Sequence, residues 1–125
     1  MDKRITWIIH EGKEILFLDY SNLKAEEMVE QLGRVEKFYE SDIIPQGKKD
    51  LLILSDVKDA RIFGDALDET KRVIKKLRPY SKKSAMVGLS SAKTILLKTI
   101  NFFAGDKKAS KQYASLDEAK AYLVS

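Results

Sequence analysis

The chain has 125 residues, 44% hydrophobic and 34% charged, a length and balance that suit one folded domain and exclude intrinsic disorder. With 0 cysteines it has no disulfide framework, thiolate metal site, cysteine nucleophile or thiol redox chemistry, and no apolar run approaches the ~20 residues that cross a bilayer. A net charge of +4 hides an asymmetry, because residues 1–70 hold 10 Lys/Arg against 16 Asp/Glu and residues 71–125 hold 13 against 3.

That asymmetry speaks of partners, whether acidic proteins, anionic surfaces or a second copy meeting head to tail, and not of fold. No apolar segment of signal-peptide length follows Asp2, Lys3 and Arg4, so the expected compartment is the cytoplasm.

Residues 4–10 alternate Ile5, Trp7 and Ile9, Glu11-Gly12 offers a turn, and residues 14–20 are again apolar, which predicts an opening β-hairpin. From 25 to 41, Met28, Leu32, Val35 and Tyr39 recur at helical spacing, and Glu26 and Glu27 favour the positive end of that helix. Pro45-Gln46-Gly47 interrupts the pattern. Residues 50–55 then form a short apolar run, as in strands buried on both faces. A second helix is predicted over 65–78, capped by Asp65, carrying Leu67, Ile74 and Leu77 on one face and stopped by Pro79. Residues 85–89 predict another buried strand, and 92–104 a third helix capped by Ser90 or Ser91 and ended by Gly105. Residues 112–114 suit a short edge strand. Ser115 and Glu118 have the spacing of a capping box, in which each side chain satisfies the other's backbone N–H, ahead of a last helix with Ala119, Tyr122 and Leu123. The order ββαβαβαβα implies one α/β domain over residues 1–125, with a mixed, mainly parallel sheet opened by an antiparallel hairpin.

Five groups of residues carry the functional options. His10 is the sole histidine, which rules out a two-histidine metal site and leaves any hydrolase triad resting on one residue; no pattern calls for a metal or cofactor. Residues 88–94 lie between strand and helix, but Val87 and Ala92 occupy the glycine positions of a phosphate loop. Ser90, Ser91 and Lys93 remain an option for a small anion at a helix N-terminus, against plain capping. The carboxylates Asp56, Asp59, Asp65, Asp68 and Glu69 follow the central strand, where α/β folds place sites, yet caps and solvated loops use the same residues. Lys71, Arg72, Lys75 and Lys76 offer nucleic acid or anionic lipid headgroups a basic helix, with solvated charge as the plain alternative. In the third helix, Ile95, Leu96, Leu97, Ile100, Phe102 and Phe103 spread too widely for one buried stripe, which leaves a second subunit, an apolar ligand or the terminal helix to cover the excess.

The element order, with VGLSSAKTILLKTINFFAG (residues 87–105) and SLDEAKAYL (residues 115–123), resembles the SpoIIAA-like branch of the STAS superfamily over nearly the whole chain. The resemblance implies a STAS-like bacterial domain with a non-enzymatic regulatory or binding role. Anti-sigma-factor antagonists of that superfamily carry a phosphorylatable serine in an Asp-Ser-Ser-Gly-like loop after the central strand. Aligning Gly64 with the loop glycine puts Ile62 and Phe63 where the serines stand, so the phosphoserine switch does not carry over. By analogy with lipid-binding CRAL-TRIO domains, the expected module binds a protein partner or an apolar small molecule or lipid. The residues expected there are Ile62, Phe63, Leu96, Ile100, Phe102 and Phe103, with a homodimer as the expected assembly.

Overall fold

The computed structural model describes residues 3–90 and 110–125. β1 (Ile5–His10) and β2 (Lys13–Asp19) form the expected antiparallel hairpin, with Ile5 opposite Leu18 and His10 opposite Lys13. Glu11 and Gly12, at φ of 50° and 77°, make the two-residue turn whose twist matches the strands.

α1 (Ala25–Phe38) starts where the Glu27 carboxylate accepts the Lys24 backbone N–H at 3.0 Å, satisfying an otherwise orphaned donor. It buries Met28, Gln31, Leu32 and Val35, and a π-helical turn (Tyr39–Ile43) carries the face on through Tyr39 and Ile43. β3 (Leu51–Asp56) lies at the centre of the sheet as predicted, between parallel β2 and β4 (Ser81–Val87).

α2 (Asp65–Leu77) departs from expectation at its start. Gly64, not Asp65, is the capping residue, with φ +58° and ψ −130°, a conformation open to glycine and strained for a side chain. Asp65 and Asp68 sit in the first turn, where their charge complements the helix dipole. The buried face is also shifted, to Ala66, Thr70, Val73 and Leu77, leaving Leu67 and Ile74 half-buried. A 3₁₀ turn (Arg78–Tyr80) at Pro79 ends it, and β4 begins at Ser81, earlier than its apolar half announces.

β5 (Lys111–Tyr113) pairs in parallel with β4 at the sheet edge. α3 (Leu116–Val124) is capped by Ser115, whose hydroxyl oxygen accepts the Glu118 N–H at 3.2 Å. The return bond differs from a full capping box: the Ser115 hydroxyl donates to the Glu118 carboxylate at 3.3 Å. The predicted helix over 92–104 lies outside the described residues.

The sheet order is β1-β2-β3-β4-β5. Strand alternation sends Leu16, Leu18, Ile53 and Met86 into a core with α1 and α2, and Ile15, Leu54, Ala85 and Val87 into a second core with Ala119 and Leu123 of α3. The described elements thus make a helix–sheet–helix sandwich. Among the described residues no helix is long and apolar enough to cross a membrane.

Candidate functional site

Between the sheet and the α1–α2 layer lies a cavity of about 80 Å³. One water needs roughly 10–15 Å³ on this measure, so the space exceeds a packing defect. Its walls are mainly apolar: Leu18, Ile53 and Met86 from the sheet, Leu32 and Val35 from α1, and Val73 from α2.

Among the described residues Ser55, Thr70 and Ser84 also line it, and larger polar groups reach it at two places. Tyr20 and Tyr39 line it, and burial holds both phenols well above their ordinary titration range; the neighbouring Tyr39 adds to the rise at Tyr20. Both therefore stay protonated, as hydrogen-bond donors in an apolar wall. At the far side, Arg78 is only 7% exposed and donates to the Ser110 hydroxyl at 3.2 Å, while Ser81 Oγ donates to the Arg78 carbonyl at 2.8 Å. The bond to Ser110 gives the buried guanidinium one of the partners it requires.

The structure separates the Ile62-Phe63 pair. Ile62 is buried and lines the cavity, whereas Phe63 is 60% exposed. Leu96, Ile100, Phe102 and Phe103 lie outside the described residues, as do Ser91 and Lys93 of the candidate anion site; Ser90 is exposed.

The neighbouring Gly88 has a structural role. Its φ is +89°, and a Cβ there would meet the backbone N of Lys58 at 2.5 Å, so glycine lets the β4 exit pack against the loop after β3.

The basic stretch of α2 is partly neutralised. Arg72 forms a two-pronged pair with Glu36 of α1, at 2.9 and 3.0 Å, and a second with Glu69, also at 2.9 and 3.0 Å. Lys76 reaches Glu36 at 2.6 Å and Glu40 at 3.4 Å. Hydrogen bonds from Arg72 and then Lys76 hold the Glu36 carboxyl down at about 2. Of the four cations, Lys75 is exposed and Lys71 half-buried, so α2 offers an anionic surface less charge than its composition implies.

The carboxylates after β3 act locally: Asp56 accepts the Lys58 N–H at 3.0 Å, and Glu69 belongs to Arg72. Half-buried His10 ends β1, and among the described residues nothing hydrogen-bonds its ring to a hydroxyl or carboxylate. Nor do the described residues include a group of three His, Cys, Asp or Glu able to hold a metal.

The chain matches no family model and no curated protein. Among solved structures it is similar to an uncharacterized protein of the DUF3478 family, with a SpoIIAA-like fold, from Shewanella loihica PV-4. The likeness has a TM-score of 0.67 at 14% identity and covers 95% of this chain and 91% of that one. The fold is SpoIIAA-like. At this identity the likeness extends to architecture and not to activity. The two positions that the resemblance gives to serines hold Ile62, buried against the cavity, and Phe63, exposed.

Proposed function

We propose that this SpoIIAA-like domain is a non-enzymatic cytoplasmic binding module that takes a small apolar molecule, or the apolar end of a lipid, into the cavity between the sheet and α1–α2. The observation that carries the reading is the cavity itself: about 80 Å³, with walls mainly of apolar side chains. Small-molecule sites combine mostly apolar walls with a few fixed polar groups, and here the protonated Tyr20 and Tyr39 supply donors for a carbonyl or hydroxyl on an otherwise apolar ligand. Ile62 belongs to this wall. Phe63 is exposed beside it and is assigned to contact with a second copy in the expected homodimer.

Methyl NMR under xenon tests the cavity without knowledge of the ligand, because dry apolar cavities take up xenon. In protein refolded free of retained molecules, the methyl groups of Leu32, Val35, Ile62 and Val73 should shift with xenon pressure. Those of Ile15 and Leu54, on the opposite sheet face, should not. Absent shifts, or equal shifts on both faces, would refute the reading.

A further inference from the structure

Three neighbouring strands begin at one end of the sheet, and lysines mark each entry. β2 starts with Lys13, Lys48 and Lys49 lead into β3, and Lys82 and Lys83 follow the first residue of β4. The parallel topology gathers these five lysines, drawn from distant stretches of chain, around an open groove of about 430 Å³. Leu52, Leu123 and Trp7 also line it, and its acidic side chains are Glu14 and Asp50.

The lysines differ in what holds them. Lys13 donates to the Val124 carbonyl at 3.0 Å, and Lys83 to the Tyr122 and Ser125 carbonyls at 3.2 and 2.7 Å, so both sit at the negative end of α3. Lys48 lies over the Trp7 ring, 4.6 Å from its centroid. Lys49 and Lys82 are exposed. Among the described residues, none of the five pairs with an Asp or Glu side chain, in contrast to Arg72 and Lys76. Five lysines against Glu14 and Asp50 leave the groove a net positive lining, and a bound anion offsets the mutual repulsion of the lysines.

We infer that this groove binds an oligophosphate, either free or carried by an organic group lying against Leu52 and Leu123. Lysine acts as a point charge toward phosphate and needs no fixed fork geometry. Strands lie about 4.8 Å apart, so the backbones of β2 and β4 run roughly 10 Å apart on either side of β3. A run of two or three phosphates bridges such a span, and one phosphate does not. The concave shape favours a small ligand over a membrane or duplex, since the volume falls in the roughly 300–1,000 Å³ range of small-molecule sites.

Trp7 is the sole tryptophan and lines the groove, so its fluorescence reports occupancy. Inorganic tripolyphosphate and a nucleoside triphosphate are titrated into the intact protein, with calorimetry alongside; the stronger binder identifies the free or the carried form. The inference expects saturable, salt-weakened binding of at least one, about tenfold tighter than orthophosphate. The double variant Lys49→Gln/Lys82→Gln, altered only at exposed positions, should lose about tenfold in affinity, and Lys75→Gln on α2 should bind like the wild type. No saturable binding of either ligand, an unaffected double variant, or an equal loss in Lys75→Gln would overturn it. So would binding to anionic vesicles or duplex DNA that tripolyphosphate fails to displace, which would make the patch a surface-docking face.

Discussion

Gly88 and Gly64 hold the loops at the carboxyl ends of the strands in place by different means. At Gly88 a methyl group would collide with backbone, 2.5 Å from Lys58 N and 2.7 Å from its Cα, and neither atom can swing aside. At Gly64 a Cβ meets nothing within 4 Å, and the cost is backbone strain at φ +58°. Gly88→Ala is therefore expected to lose about 2 kcal/mol or more and Gly64→Ala about 1 kcal/mol, read as shifts in urea midpoint. Equal losses would mean that the Lys58 contact is not what constrains Gly88. Neither role was legible beforehand. Gly88 looked like part of a degenerate phosphate loop, and Asp65 has the residue type of a cap but stands one place late. The separation of Ile62 from Phe63 was equally hidden, since two adjacent apolar residues in irregular chain do not say which one turns inward.

At the scale of elements, the α1–α2 pairing rests on the buried stripes and on Glu36, which joins both helices through Arg72 and Lys76. Glu36 titrates at about 2 in the folded protein, against an ordinary 4.5, so it binds fewer protons folded than unfolded over that interval. Its stabilising contribution is complete above about 4.5 and fades as pH falls towards 2. Arg72 and Lys76 are 50% and 42% exposed, so solvent screens the network and Glu36→Gln should cost about 1 kcal/mol near neutral pH. Urea midpoints of wild type and variant should converge as pH approaches 2; a gap that stays constant would show that the carboxylate charge is not the source. The elements themselves were largely legible, because the hairpin and the first helix each follow one hydrophobic period and the central strand is a continuous apolar run. β4 was half missed, since Ser81, Lys82 and Lys83 at its entry carry no apolar signal. Lys83 instead serves the carbonyls that end α3, a tertiary role with no local pattern.

At the scale of the molecule, folding reorders the charge that the sequence divides by halves. The acidic half contributes Lys13, Lys48 and Lys49 to the groove where the basic half contributes Lys82 and Lys83, while Arg72 and Lys76 of the basic half neutralise Glu36 and Glu40 of the acidic one. The cavity is likewise a product of assembly. Leu18, Leu32, Ile53, Ile62, Val73 and Met86 come from separate elements, and each reads in sequence as an ordinary core residue. The order of strands and helices was therefore open to sequence reasoning, and the space left between them was not. Native mass spectrometry of freshly purified protein, set against its denatured mass, reads subunit count and retained ligand together. The expected result is a dimer whose subunits carry extra mass that is lost on denaturation, and that is absent from a cavity-filled Ile74→Phe variant. A monomer of bare polypeptide mass would contradict both the cavity's role and the expected assembly.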